Sequence, residues 1–172
     1  PITAGTYYID GATTWAGDLQ KVGIEKKVFR RDVSPLRVGE RFPFTTLILD
    51  DGSDFVLGKD QDKPIALTFI YTRCPEPEAC PAMMARYQAL HAAVKGEALL
   101  LAITLDPGFD SPEVLSGYSK LLGVEGDNWK FAWVEQSLLE ELALRAGMNV
   151  IENEGKIVHG LRVLLMDKSG TL

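Results

Sequence analysis

From Phe42 onward the apolar positions of this chain fall into short, separated blocks whose period switches between two and three-to-four. Thr46–Leu49 and Phe55–Leu57 flank Asp50-Asp51-Gly52-Ser53, a turn of acidic residues and glycine, and this predicts a β-hairpin. Pro64–Tyr71 (PIALTFIY) is almost wholly apolar and β-rich, as suits a strand buried on both faces. In Pro81–Val94 the residues Met84, Tyr87, His91 and Val94 recur at helical spacing, with Met83 and Leu90 beside them. Ala98–Leu105 predicts a second buried strand. Ser111–Leu122 predicts a helix capped by Ser111, with Pro112 at its first position. A short strand over Lys130–Val134, a helix over Gln136–Ala146 stopped by Gly147, a strand over Ile157–Met166 and a turn at Asp167–Gly170 follow.

Strands alternating with helices imply right-handed βαβ units, hence an α/β fold with a mostly parallel sheet. Residues 1–40 are broken up by Gly5, Gly11, Gly17 and Gly23 and show no sustained period. They are expected to form an extended N-terminal arm holding at most one short helix, with the domain proper over 41–172. The final turn precedes Leu172 by two residues, so the fold is expected to continue with a further strand and helix.

Composition narrows the function classes. A domain of 172 residues buries roughly two thirds of its unfolded surface, so it needs neither disulfide nor metal merely to fold. Its two cysteines are free for chemistry. The net charge of −6 argues against nucleic-acid binding, which requires a basic face. Lys21, Lys26, Lys27, Arg30, Arg31, Arg37 and Arg41 lie close together. They read as a solvated face or, more pointedly, as a contact for an anionic membrane surface or an acidic partner. No apolar run approaches the ~20 residues that span a bilayer. The chain begins at Pro1, which leaves room for an export signal or anchor upstream.

The segment Thr72-Arg-Cys-Pro-Glu-Pro-Glu-Ala-Cys-Pro81 joins a buried strand to a helix, the place where reactive groups of open α/β sheets gather. Each proline disfavours helical geometry in the residue before it, so Cys74, Glu76 and Cys80 are expected to be extended. Pro81 suits the first helical position, which makes Cys80 the expected N-cap. Unpaired N–H groups there lower a thiol pKa. A structural disulfide, or two unrelated buried thiols, is the plainer alternative. Of the two histidines, His91 sits in the last turns of its helix and reads as packing or a dipole partner.

Four stretches resemble the SCO/SenC family of thioredoxin-like copper proteins: Phe42–Gly52 (FPFTTLILDDG), Ala66–Pro81 (ALTFIYTRCPEPEACP), Thr104–Tyr118 (TLDPGFDSPEVLSGY) and Ile157–Gly170 (IVHGLRVLLMDKSG). Trp129 falls where that family often carries a Trp before a strand. The resemblance implies a thioredoxin-like fold. It also implies that Cys74 and Cys80 are sulfur ligands and catalytic thiols, that His159 is an imidazole ligand, and that Asp106 supports the site. Two thiolates and an imidazole form a soft set suited to copper ion. A structural zinc site normally has four ligands, and no fourth is evident. Met83 and Met84 are closest, but such a pair more often packs a core. The family has three residues between its cysteines; this chain has five, two of them Glu76 and Glu78.

By resemblance, the chain is expected to be an extracytoplasmic copper chaperone. It would assist assembly of the copper centre of a respiratory terminal oxidase, with the oxidase copper subunit as partner and a membrane anchor beyond this chain. Two alternatives share the same cysteines: a thiol–disulfide reductase, in which His159 is dispensable, and a peroxiredoxin-like peroxidase suggested faintly by Tyr71-Thr-Arg-Cys74.

Overall fold

A computed structural model describes residues 5–8, 33–124, 126–148, 150–153 and 156–172. Seven strands build one sheet: β1 (Gly5–Tyr8), β2 (Thr45–Leu49), β3 (Asp54–Leu57), β4 (Ile65–Ile70), β5 (Leu99–Thr104), β6 (Trp129–Trp133) and β9 (Arg162–Met166), in the order β1-β9-β4-β5-β6-β2-β3. Helices α1 (Cys80–Val94) and α2 (Pro112–Leu121) connect β4 to β5 and β5 to β6, so these three central strands run parallel. The outer pairings are antiparallel: β2 with β3 and β6, and β9 with β4 and β1. Parallel character is therefore confined to the strands that helices join. The hairpin expected at Thr46–Leu57 forms as β2–β3.

All six residues of β4 are buried, because the strand has β5 and β9 at its sides and side chains packed on both faces. Its alternation sorts two cores. Leu67 and Phe69 join Leu101, Ile103, Leu139 and Leu142 of helix α3 (Gln136–Arg145) on one face. Ala66 and Ile70 join Leu100, Ala102, Met83, Met84, Tyr87 and Trp129 on the other. The period of two along each strand delivers its residues to the two faces in turn. Ser111 caps α2 by accepting from the Val114 N–H, with Pro112 next in line.

Two details depart from the sequence pattern. The run Ile157–Met166 is two strands, not one. Lys156–His159 forms β8 and pairs with β7 (Val150–Asn153) in a separate two-stranded sheet, while Arg162–Met166 joins the main sheet as β9. Gly160 and Leu161 separate them, as glycine does where a strand bends. Second, the arm contributes β1, which pairs with β9; the short helix expected there, and Lys21 to Arg31, lie outside the described residues. The turn at Asp167–Gly170 forms where the sequence places it and is held against the body. Gly170, at φ +77°, has Gly58 backbone where a Cβ would stand, 2.6 Å from the Gly58 carbonyl oxygen, so only glycine fits.

Candidate functional site

The parallel strands end at one edge, and the loops leaving β4 and β5 meet there. Tyr71, Thr72 and Arg73 lead out of β4 to Cys74. Ala79 is the N-cap of α1 and Cys80 its first residue, with Pro81 second. The expected assignment of Cys80 as N-cap is thus one residue late. Backbone torsion at Ala79 already turns the chain, and the Ala79 carbonyl accepts from the Met83 N–H at 2.9 Å. Both cysteines are free thiols, Cys74 half-buried and Cys80 buried.

The two sulfurs divide the electrostatics unequally. The Cys80 thiol donates to Cys74, and the N–H groups of Cys80 and Glu76 and the Tyr71 hydroxyl add to this. Together they outweigh burial and lower the Cys74 pKa to about 5. The Cys80 thiol is pushed far up, first because it is the donor to Cys74 and then by burial. The pair titrates as a unit, with the Cys74 pKa lowered and the Cys80 pKa raised. The low-pKa thiol is therefore Cys74 rather than Cys80. The N–H at the start of α1 still does what a helix terminus does for a thiolate, but it acts on the neighbouring sulfur. The Tyr71 hydroxyl stays protonated, its pKa raised by burial and by its bond to Cys74.

His159 ends β8, opposite Val150, rather than lying mid-strand. Its Nε2 stands 3.7 Å from Cys80 Sγ, and its Nδ1 is 3.0 Å from the Gly160 carbonyl oxygen. With Nδ1–H donating to that carbonyl, the Nε2 lone pair faces the sulfur. Burial lowers the imidazole pKa, which favours the neutral, ligating form. A metal ion at ordinary nitrogen and sulfur bond lengths, about 2.0 and 2.3 Å, would subtend roughly 120° between atoms so spaced. Cys80 and His159 thus fit two positions of one coordination sphere. Among the described residues no three His, Cys, Asp or Glu side chains converge as a closed metal-holding set. Cys74 meets Cys80 but does not complete one with His159. The Tyr71 ring lies edge-on to the imidazole, centroids 6.0 Å apart.

Asp106 approaches the site indirectly. Its Oδ2 accepts from Arg73 Nε at 3.0 Å and Nη2 at 2.5 Å, and the same guanidinium lies 4.1 Å from the centroid of the Phe109 ring. Glu76 and Glu78 are exposed. Met83 and Met84 are fully buried in the core beside Cys80, and His91 packs on Trp129 with ring centroids 5.8 Å apart. All three follow the packing reading of the sequence. Sequence reasoning assigned no role to Tyr71, Arg73 or Asp110. Asp110 is wholly buried and receives hydrogen bonds from the Thr72 N–H, the Thr72 hydroxyl and the Thr104 hydroxyl. In the sequence Asp110 is a carboxylate directly before a Ser-Pro helix start, with nothing to mark its burial.

A thiol pair at the strand-to-helix exit of a βαβ core defines a thioredoxin-like protein. A model of the SCO1/SenC family matches residues 34–172, and the chain belongs to that family. Solved structures agree in fold. BsSco, described as a member of the Sco family of cytochrome c oxidase assembly proteins with a disulfide switch, is 25% identical; the match covers 83% of this chain and 84% of that one with a TM-score of 0.67. A SCO1/SenC family lipoprotein from Bacillus anthracis is 21% identical, with 84% and 85% covered and a TM-score of 0.67. Arabidopsis thaliana ScoI, solved with copper bound, is 20% identical, with 78% and 84% covered and a TM-score of 0.63. No curated protein matches the chain. Among the described residues no helix is long and apolar enough to cross a membrane.

Proposed function

We propose that this protein is an extracytoplasmic copper carrier that serves the copper subunit of a respiratory terminal oxidase, with Cys74, Cys80 and His159 as the donors for its copper cargo. The domain over 41–172 carries the site, and residues 1–40 extend it. The observation that supports this reading best is the 3.7 Å approach of His159 Nε2 to Cys80 Sγ, its lone pair directed there by the Nδ1–Gly160 bond. Metal-ligating histidines are commonly fixed by such a carbonyl contact. Cys74, already a thiolate near neutral pH, supplies a second soft donor by turning its sulfur toward the same point. Cys80 releases its proton on ligation. Asp106 supports the loop by holding Arg73.

A second reading has its own support in the lowered Cys74 pKa. The Cys74 thiolate attacks a partner disulfide and one partner thiolate leaves. Cys80, once deprotonated, attacks Cys74 of the mixed disulfide and releases the second partner thiol. Two electrons pass to the partner, and a Cys74–Cys80 disulfide remains. The two readings are compatible, since a thiol pair that reduces a partner's cysteines also prepares them for metal.

His159→Ala separates them. Copper affinity of the reduced variant, measured by competition with a Cu(I) chelator, should fall by more than the roughly 10–100-fold that loss of an outer-shell partner costs. Exchange with a disulfide peptide should persist. Full-affinity copper binding by the variant removes His159 from the site.

A further inference from the structure

Two carboxylates of the loop after β5 grip the two residues that precede Cys74. Asp110 holds Thr72 at both its N–H (3.0 Å) and its hydroxyl. Asp106 holds the Arg73 guanidinium. The carboxylates are tied to each other: Thr104 Oγ1 donates to Asp110 at 2.6 Å and accepts from the Asp106 N–H at 2.9 Å, and the Asp110 N–H bonds the Asp106 carbonyl at 2.8 Å. Asp110 is fully buried, whereas the Arg73 side chain is 52% exposed. Screening weakens the exposed ion pair, so the buried carboxylate carries most of the grip.

A wholly buried carboxylate is costly to keep unless its hydrogen bonds are made. All three of its side-chain bonds go to the exits of β4 and β5, and none to a cation. Residues beyond Thr72 are held less firmly. Pro75 and Pro77 remove two N–H groups from the loop, and Glu76 and Glu78 stand in solvent. The position of Cys74 is therefore fixed from its N-terminal side, two residues away.

We infer that Asp110 is a positioning residue: acting through Thr72, it holds Cys74 against Cys80 and thereby sets both the stability of their disulfide and the affinity of the pair for a soft metal ion. This rests on the thiol-pair reading above. The physical argument is preorganisation. Two thiols kept together react as an intramolecular pair whose effective concentration falls when one is released. Two hydrogen bonds from Thr72 to one buried carboxyl group are costly to leave unmade, which is enough to restrain a loop of this length.

Thr72→Val removes the hydroxyl at constant shape, and Thr72→Ser restores it. Thr72 is only part-buried, so both variants should fold; Asp110→Asn is a third variant that keeps one acceptor. In the full chain equilibrated with reduced and oxidised glutathione, which accepts the two electrons as it becomes two thiols, Thr72→Val should destabilise the Cys74–Cys80 disulfide about ten-fold. That corresponds to about 30 mV. Thr72→Ser should return to within about two-fold of the parent, and Cu(I) affinity should follow the same order. A Thr72→Val variant that loses stability to urea while its thiol–disulfide equilibrium stays unchanged overturns the inference and leaves Asp110 as a structural residue. A parent that forms no intramolecular disulfide overturns the thiol-pair reading and the positioning role together.

Discussion

The two halves of the candidate site are supported in different ways. The cysteine half leaves the most buried strand of the sheet, enters a helix whose Cys80, Met83, Met84 and Tyr87 are all buried, and is gripped by Asp110 and Asp106. The histidine half ends a four-residue strand that, among the described residues, pairs only with another of equal length, outside the main sheet. Ile157 packs against both cores, and His159 is placed by one carbonyl, one sulfur and one ring edge. An isolated two-stranded hairpin is marginal on its own. The contrast suits the proposed carrier role, in which a fixed thiol pair would retain the cargo and a less anchored imidazole would leave it for a partner.

Several changes would break or sharpen this contrast. The largest effect belongs to Cys80→Ala. It removes the donor that keeps Cys74 ionised, so the pH midpoint of Cys74 alkylation should rise from about 5 toward the ordinary thiol value of about 8.5. Because the thiolate is the nucleophile, the parent should alkylate at nearly full rate at pH 7 and slow only as pH falls through its pKa. The variant should be slow at pH 7. A midpoint left near 5 would mean that the helix terminus alone holds the thiolate.

The second test compares the halves directly. Amides of β4 and β5 should exchange only on global unfolding, and those of β7 and β8 by local opening, at least about 100-fold faster in hydrogen-exchange mass spectrometry. Cu(I) should slow the hairpin and leave β4 unchanged. Equal protection of both halves contradicts the contrast.

Next is the core under the cysteines. Met84→Ala should cost about 2–5 kcal/mol in urea denaturation and Met84→Leu less than about 1.5 kcal/mol, with copper affinity unchanged in the Leu variant. Loss of affinity there would make Met84 a ligand. The smallest effect is that of Glu76→Gln with Glu78→Gln. Equilibrium affinity should hold within about two-fold, while the association rate of a cationic partner drops modestly at low salt.

Much of this contrast was legible in the sequence, and unevenly so. The cysteine half announces itself because β4 is a continuous apolar run and Cys-Pro marks a helix start, so the elements fall within a residue or two of their observed ends. The histidine half is masked. Ile157–Met166 reads as one strand because its apolar residues continue across Gly160, and only pairing with β7 reveals the break. Val150–Asn153 is too short for a period to show. The direction of the thiol pKa shifts was hidden for another reason. Which sulfur ionises depends on which one donates, and that is a property of three-dimensional contact. Asp110 was invisible as a positioning residue because burial of a carboxylate cannot be read from one sequence. The match to the SCO1/SenC family over 34–172 agrees with the resemblance carried by the four quoted stretches.

The central claim is that one ion is held by donors from both halves. X-ray absorption at the copper edge of the reduced, Cu(I)-loaded protein counts those donors. Two sulfur atoms and one nitrogen, with the nitrogen lost in His159→Ala, is the predicted result; a first shell of sulfur alone in the parent would contradict it.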